Sequence, residues 1–359
     1  MTVWGWLIWK LGWTSTLYSE QNYFGLIHPI EGWKAALLGV WLRWDVVHYI
    51  RIVEQGYEYD YLSVFFPLFP LLGRAASRLP GIDSLSGLML VSNLCLVLLA
   101  ALLYEIAVEL DCRMTAQQTV ISLFIYPMAI FLFAPYTESL ALFLIILTYL
   151  AAHRRKWWLS IPASIAAGLS RGTVLPLTSL LLWDLWQNRK SLSRLDWTAG
   201  IITSGGPLAG IGLFLAWRMY MGFPEFDRLL AAYWGRQTVW PWEPFLAISD
   251  FIQQGKYTPA IYLNLLLLVI VVGISIWALP RLPVGFSIYQ FIALVFTLST
   301  SLTNEPLGSW GRYSLILFPT YIGLGLWCNK PRRRLYTFGF LVMLMLLVAG
   351  QYFMWGWLG

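Results

Sequence analysis

The sequence predicts an all-α, polytopic integral membrane protein, and three observations lead to this prediction. Of its 359 residues, 58% are hydrophobic and only 12% are charged, and the mean hydropathy is +0.64. A soluble protein of this composition would have too little polar surface to cover its core. Apolar segments that can cross a hydrocarbon layer of about 30 Å recur along the chain, and they are too long and continuous for barrel strands. Backbone groups in lipid must be satisfied within a segment, so these segments are expected to be helices.

The predicted bundle contains about nine to eleven transmembrane helices. The clear spans are 86–108, 117–134, 197–217, 258–279, 285–303, 312–328 and 335–355, with a shorter one at 138–152. Segment 157–186 is expected to enter the membrane and return as a hairpin, with Arg171 at its tip. Residues 1–13 are apolar but too few to cross alone, so the first span is either extended by residues 14–20 or cut short.

The positions of Lys and Arg predict the orientation of the chain. Short basic clusters separate the spans, and such clusters are typically cytoplasmic; they lie at 154–156, 189–194 and 330–334. By alternation, four segments reach the opposite, non-cytoplasmic face: 29–85, 135–138, 221–257 and 304–311. We therefore interpret the net charge of +6 as a topology signal and not as a surface for nucleic acid.

Residues 1–359 are predicted to form one transmembrane domain with two large extracytoplasmic loops. The first loop, 43–79, is rich in polar and aromatic residues and in helix breakers, so we expect two interfacial helices, at 44–55 and 68–79. The second loop, 221–257, contains Tyr-Trp-Gly-Arg at 233–236 and Trp-Pro-Trp at 240–242. This composition suits sugar faces and phosphate, and it equally suits a loop that lies on lipid headgroups.

The sequence predicts neither a metal site nor a cofactor. The three cysteines lie in or beside apolar spans without CxxC spacing, which favours neither disulfides nor a thiolate metal site. The external acid pairs at alternate spacing, Glu58 with Asp60 and Glu225 with Asp227, are weak metal signals. Arginines can serve a monophosphate leaving group without a metal ion.

The most specific motif in the chain runs from Arg43 to Pro70. It reads Arg-Trp-Asp-Val-Val-His-Tyr over 43–49, continues to Gly-Tyr at 56–57 and ends in Phe-Phe-Pro-Leu-Phe-Pro at 65–70. This combination strongly resembles the signature of the PIG-V mannosyltransferases, which are C-type glycosyltransferases. One position departs from the family: Asp60 is followed by Tyr61, where the family usually has an acid and a histidine, so no role is assigned to Tyr61.

Three later segments resemble the same family and occur in the expected order. Ala-Pro-Tyr-Thr-Glu-Ser at 134–139 is similar to its Tyr-Ser/Thr-Glu turn, and Gly-Leu-Ser-Arg-Gly at 168–172 to its arginine-bearing hairpin. Gly-Arg-Tyr-Ser at 311–314 is similar to its Arg-Tyr or Arg-Phe span start. The resemblance covers most of the chain and is weaker in the middle loop. It implies a GT-C-like membrane bundle and a mannose donor linked to a polyprenyl phosphate.

Transfer of such a sugar needs a base near the acceptor hydroxyl, cations near the departing phosphate and walls that hold the sugar. Asp45 is the predicted catalytic base because it stands beside the start of an interfacial helix, although an acid there also suits the helix dipole. Arg171 and Arg312 are the predicted phosphate ligands, since guanidinium binds phosphate oxygens in a bidentate fork. Glu138 is expected to pair with one of these arginines. The alternative for Arg171 is an isolated side chain that snorkels to the interface.

Further residues complete the predicted substrate-binding set. His48 lies three positions after Asp45 on the same helix face, and it is either a substrate contact or an interfacial hydrogen-bonding residue. The remaining members are Arg51, Tyr57, Tyr136, Trp234, Arg236 and Tyr313.

These observations predict an inverting hexosyltransferase of the non-cytoplasmic membrane face. The expected donor is a polyprenyl-phosphate hexose, mannose by resemblance, and the acceptor is the hydroxyl of a lipid or glycan. The expected partners also include membrane lipids but no nucleic acid. The predicted location is multi-pass, in the plasma or inner membrane of a prokaryote or in the endoplasmic reticulum of a eukaryote. The alternatives are a flippase or other transporter for a polyprenyl-linked sugar, which would often contain an internal repeat, and an inactive structural membrane subunit.

Overall fold

The protein is described by a computed structural model over residues 1–13, 37–256, 258–303 and 305–356. The first half contains the helices α1 (Thr2–Lys10), α2 (Asp45–Gln55), α3 (Leu68–Ala76), α4 (Ser84–Leu110), α5 (Arg113–Ile125), α6 (Ile130–Phe133), α7 (Glu138–His153) and α8 (Trp157–Ser170). The second half contains α9 (Leu177–Gln187), α10 (Arg194–Tyr220), α11 (Phe226–Trp234), α12 (Glu243–Gln253), α13 (Pro259–Ala278), α14 (Val284–Leu298), α15 (Trp310–Tyr313), α16 (Phe318–Trp327) and α17 (Pro331–Phe353). Two short strands, β1 (Arg236–Thr238) and β2 (Thr300–Leu302), pair antiparallel with Arg236 opposite Leu302.

Four of the described helices are long and apolar enough to cross a bilayer: α4, α10, α13 and α17. Helix α5 and the following stretch Pro127–Phe133 would form a fifth span that is bent by 68°. Helices α7 and α14 are also apolar but contain only 16 and 15 residues. The prediction of an all-α integral membrane protein is confirmed, with a small β-ribbon that was not predicted.

The predicted number of nine to eleven spans is not reached by continuous helices of spanning length in the described residues. Proline explains two of the breaks, because it lacks the N–H that an α-helix needs. Predicted span 117–134 breaks at Pro127, and span 312–328 divides into α15, a 3₁₀ turn at Ser314–Ile316 and α16, which carries Pro319 in its first turn. Residues 14–20, which were to extend the first span, lie outside the described residues.

The two helices of the first large loop lie where the sequence placed them, at α2 and α3. The predicted hairpin consists of α8 and α9, and Arg171 directly follows the last residue of α8. Helix α7 carries Glu138 at its first residue and His153 at its last, so these residues lie about 22 Å apart along its axis. The basic cluster at 154–156 is therefore at the opposite end of the bundle from Glu138.

Helices α8 and α10 are in backbone contact, and this contact fixes the end of α8 from which Arg171 projects. A Cβ atom on Gly168 would lie 2.2 Å from the carbonyl oxygen of Pro207, and one on Gly210 would lie 2.2 Å from that of Ile165. Small residues at such positions allow membrane helices to approach closely.

We expect Gly168→Val to destabilise the protein, because the new side chain must push α10 away. Overpacking of this kind typically costs about 1–3 kcal/mol. Thermal unfolding of the purified protein in detergent measures the effect. Gly212→Val on α10 is the matched control, since a Cβ there meets nothing within 4 Å. Equal melting temperatures for the two variants would contradict the close packing of α8 on α10.

Candidate active site

A cavity of about 740 Å³ lies where α2, the end of α8, α11, β1 and α15 meet. This volume is typical of sites for small molecules and cofactors. The charged residues of its wall are Asp45, Arg171, Asp227, Arg236 and Arg312. The aromatic residues of its wall are Tyr49, Phe65, Phe66, Phe226, Trp234, Phe296 and Tyr313. The cavity therefore combines an apolar wall with a small group of charged side chains.

Three residues with a positive φ angle shortly precede three of the five charged residues of the cavity wall. Trp44, with φ 52°, comes directly before Asp45, and Gly235, with φ 60°, comes directly before Arg236. Ser309, with φ 68°, precedes the one-turn helix that carries Arg312. A positive φ is strained for residues other than glycine and costs about 1–3 kcal/mol, and such strain is concentrated at functional sites.

Asp45 begins α2 and points its carboxylate at Arg312. Its Oδ2 accepts a hydrogen bond from Nη1 of Arg312 at 2.7 Å. Burial raises the pKa of Asp45, but the charge and the hydrogen bond of Arg312 outweigh burial, so this pKa lies below its usual value. Asp45 is therefore a carboxylate at neutral pH.

Glu138 links two arginines at the floor of the site. Its Oε1 accepts a hydrogen bond from Nε of Arg312 and pairs with Nη1 of Arg171. Only 1% of the Glu138 side chain is exposed, so its charge depends on these partners. Arg171 also donates to Thr137 Oγ1 at 3.3 Å. The alternative in which Arg171 snorkels alone is therefore wrong. We call the sequence of contacts Asp45–Arg312–Glu138–Arg171 the ion-pair chain.

Arg236 lies beside the ion-pair chain but makes no ion pair with a carboxylate in the described part of the protein. Its Nη2 donates to Ser309 Oγ at 3.0 Å, and its guanidinium lies 4.9 Å from the centre of the Tyr313 ring. Burial, followed by the charge of Arg312, lowers the pKa of Arg236 to about 10. Arg236 thus stays protonated at neutral pH in a region of positive potential. The ion-pair chain contains two carboxylates and two guanidiniums, so Arg236 gives this group of residues a net charge of about +1.

Besides Glu138, four of the predicted substrate-binding residues lie outside the cavity wall. His48 packs beside the rings of Phe65 and Trp234, with ring centres 5.3 and 6.1 Å away. Burial lowers the pKa of His48 to about 4, so its imidazole is neutral at neutral pH. Arg51 donates to the Tyr61 hydroxyl at 2.8 Å.

The other two residues outside the wall are tyrosines that support it. The Tyr57 hydroxyl donates to the Phe65 carbonyl at 2.9 Å. The Tyr136 ring lies 4.5 Å from the Arg312 guanidinium, and its hydroxyl donates to the Arg43 carbonyl at 3.3 Å. These contacts fix the backbone and the guanidinium behind the cavity. Direct substrate roles for all four residues stay predictions.

Several wall residues were not selected from the sequence. Two of them, Phe226 and Leu230, form a stripe with helical spacing on α11 together with the predicted Trp234, and this spacing was a usable signal inside the loop 221–257. Gln237 and Thr238 reach the wall because β1 pairs with β2, and no local pattern indicated that pairing. Within the described ranges, no group of three or more His, Cys, Asp or Glu residues could hold a metal ion.

Comparison with known proteins confirms the family resemblance. A family model for mannosyltransferase (PIG-V) matches residues 14–171. The protein called GPI alpha-1,6-mannosyltransferase 2 from Mus musculus is 34% identical over 156 residues, which are 40% of this chain and 32% of that protein. The protein of the same name from Rattus norvegicus is 33% identical over 178 residues, which are 46% of this chain and 36% of that protein. The match thus spans about a third of the length of these relatives.

Among solved structures, the oligosaccharyltransferase of Archaeoglobus fulgidus in its apo form aligns with 99% of this chain and 56% of its own. The TM-score is 0.44 and the sequence identity is 13%.

We expect Glu138→Gln to destabilise the protein strongly, because it leaves Arg171 and Arg312 short of a buried counter-charge. Removing one partner of a buried ion pair typically costs about 3–5 kcal/mol. Chemical unfolding in detergent measures this cost. Asp227→Asn is the matched control, because Asp227 lines the same cavity on an exposed part of α11. A Glu138→Gln variant as stable as the control would show that the ion-pair chain does not hold the site together.

Proposed function

We propose that this chain is an inverting mannosyltransferase that acts on the non-cytoplasmic face of its membrane. It takes the sugar from a polyprenyl-phosphate donor and transfers it to a hydroxyl group of a lipid or glycan. The observation that supports this most is the cavity in which an ionised Asp45 faces three arginines. The likeness to PIG-V mannosyltransferases supports the sugar and the reaction class, and it gives no support to a transporter or a structural subunit.

Asp45 is the general base of this proposal. Its carboxylate lines the cavity, and Arg312 is its only hydrogen-bond partner among the described residues. An ionised carboxylate only accepts hydrogen bonds, so it can orient an acceptor hydroxyl and take its proton as the new bond forms. The acceptor oxygen attacks the anomeric carbon on the side opposite the phosphate, the bond from that carbon to the phosphate oxygen breaks, and the configuration inverts.

Arg236 is the main phosphate ligand of this proposal. Arg171 and Arg312, which the sequence favoured for that role, already contact the carboxylates of the ion-pair chain. The phosphodiester of the donor carries about one negative charge. This charge balances the net charge of about +1 on Arg236 and the ion-pair chain together. Negative charge on the phosphate grows as the sugar leaves, and a guanidinium fixed beforehand stabilises it without reorganisation. An anion beside Arg236 would also offset the burial and the repulsion from Arg312 that lower the pKa of Arg236.

The rest of the cavity suits the sugar and the prenyl chain. Trp234 lines the cavity, and the faces of such rings pack well against the C–H groups of a hexose. Ile211 and Leu215 of α10, with Phe296 of α14, form an apolar part of the wall. A prenyl chain that follows this part stays in contact with the bilayer, where its burial is favourable.

The proposed face follows from the positive-inside rule. The ion-pair chain lies at the Glu138 end of α7, and the basic cluster 154–156 follows its other end. A cysteine placed at Asn188 should resist a membrane-impermeant thiol reagent in intact cells, while a cysteine placed at the exposed Glu225, in the loop 221–257, should react with it. The opposite labelling pattern would show that the orientation is inverted and that the candidate active site faces the cytoplasm.

The central experiment is incubation of the purified protein with a radiolabelled polyprenyl-phosphate mannose and a membrane extract. Transfer of label to a second lipid or glycan is the expected result. No transfer with active donor and extract would contradict the enzyme proposal.

We expect Asp45→Asn to lower kcat by about 10² to 10⁴-fold, because it keeps the size of the side chain but removes the base. Donor binding should stay close to wild type. In the wild type, kcat should hold as the pH falls below neutral, since the pKa of Asp45 is lowered and its carboxylate stays ionised. Asp60→Asn, at an exposed acid of the same loop, is the control. If Asp45→Asn turns over at nearly the wild-type rate, Asp45 is not the general base, and Glu138 is the next residue to test.

We expect Arg236→Gln to weaken donor binding by about 10 to 150-fold, the usual worth of a hydrogen bond to a charged group. Arg236→Lys should lie between, because a point charge replaces the bidentate fork. Donor titration measures both. Arg228→Gln on the exposed side of α11 is the matched control. If Arg236→Gln binds the donor as tightly as this control, the phosphate lies on the ion-pair chain instead.

A further inference from the structure

A second cavity of about 430 Å³ lies between α13, α16 and α17, away from the candidate active site. Its wall is almost entirely apolar and includes Ile270, Gly273, Leu324 and Phe340. A Cβ atom on Gly273 would meet nothing within 4 Å, so this glycine leaves open space along the face of α13. We call this cavity the apolar groove.

Two arginines stack on tryptophans at one end of the apolar groove. Trp277 and Trp327 line that end and contact each other edge to face, with ring centres 5.1 Å apart. The Arg281 guanidinium lies 4.0 Å from the Trp277 ring, and the Arg333 guanidinium lies 4.3 Å from the Trp327 ring. Two cations therefore lie at the same end of an apolar groove.

This end belongs to the side of the bundle opposite the candidate active site. Helix α13 begins beside Thr258, which donates to Glu305 at 2.7 Å in the loop that leads to Arg312. The same helix ends at Ala278, three residues before Arg281. The first turn of α17, which follows Lys330, carries Arg332, Arg333 and Arg334.

The surroundings decide what fills the apolar groove. An apolar groove between membrane helices is filled by hydrocarbon, because it offers too few polar groups to satisfy the hydrogen bonds of water. An arginine stacked on an indole keeps its N–H edge for phosphate oxygens. One N–H of Arg281 bonds the Trp277 carbonyl, and the guanidinium carries five in all. Basic pockets of this kind near a membrane surface attract anionic lipids.

We propose that the apolar groove binds one anionic phospholipid, with an acyl chain beside Gly273 and the phosphate at Arg281 and Arg333. This site is separate from the donor cavity and does not depend on the proposed reaction. The lipid fills the space between α13, α16 and α17 and ties their ends together. Neutral phospholipids would place the same chain in the groove with less charge attraction at its mouth.

Native mass spectrometry of the purified protein tests this proposal. The protein is mixed with equal amounts of phosphatidylglycerol and phosphatidylcholine of the same chains, and the retained lipid is measured. The wild type should retain one phosphatidylglycerol in preference to phosphatidylcholine. Arg281→Ala with Arg333→Ala should reduce that preference about fivefold for each arginine, or roughly twenty-five-fold together. Arg189→Ala is the matched control, because Arg189 stacks at 4.3 Å on Trp186, and that tryptophan does not line the apolar groove.

A second variant tests the groove itself. Gly273→Leu should fill the open space and lower retention of both lipids at least tenfold, while Gly212→Leu on α10 should leave retention unchanged. Equal retention of the two lipids by the wild type would contradict the proposal that Arg281 and Arg333 select an anionic lipid. Undiminished retention by Gly273→Leu would overturn the site. Because this variant adds a side chain at an open position, it keeps the proposal testable even if the double arginine variant does not fold.

Discussion

The ion-pair chain is the interaction on which the rest of the structure depends. Each member comes from a different part of the chain: Asp45 from the first loop, Glu138 from the start of α7, Arg171 from the end of α8 and Arg312 from α15. Buried charges are costly unless each has its partner in place. The arrangement that satisfies all four at once therefore fixes the relative positions of these elements. The apolar spans can pack in many ways, and the charges select among them.

Short and broken elements bring these charges together. A continuous α-helix through 310–328 would satisfy its own backbone hydrogen bonds. It would, however, fix the direction of Arg312 by the axis of that one straight helix. The structure instead turns through Ser309 in a left-handed conformation, makes one helical turn and breaks again before Pro319. Trp44 is strained in the same way directly before Asp45. The strained backbone at Ser309 and Trp44 costs free energy. The ion pair between Arg312 and Asp45, which these two residues position, offsets that cost.

Much of this site was predictable because its residues occur in recognisable local patterns. Asp45, Glu138, Arg171 and Arg312 each stood out as a charged residue in apolar or interfacial surroundings, where chance rarely leaves one. Glu138 was expected to pair with one of the two arginines and contacts both. The pairing of Asp45 with Arg312 was not predictable, since the sequence gives no distance between position 45 and position 312. Arg171 and Arg312 were consequently assigned to phosphate, whereas the structure shows that both contact carboxylates. The helix breaks were missed for a related reason: hydropathy measures composition over a window and is insensitive to a single Pro127 or Pro319.

The position of Arg236 depends on tertiary structure more than that of any other charged residue in the cavity. Gly235 ends α11 in a left-handed conformation, and the protein then enters β1, which pairs with β2. Ser309 fixes the guanidinium from a third segment. Two loops that are far apart in the sequence must therefore be ordered together before this cation reaches the ion-pair chain. The ion-pair chain has no net charge of its own. The net positive charge of this group of residues therefore comes from Arg236, which the loops position, and not from the bundle. In the proposed reaction, the bundle thus supplies a carboxylate of fixed ionisation, and the paired loops supply the positive charge that is proposed to bind the phosphate of the donor.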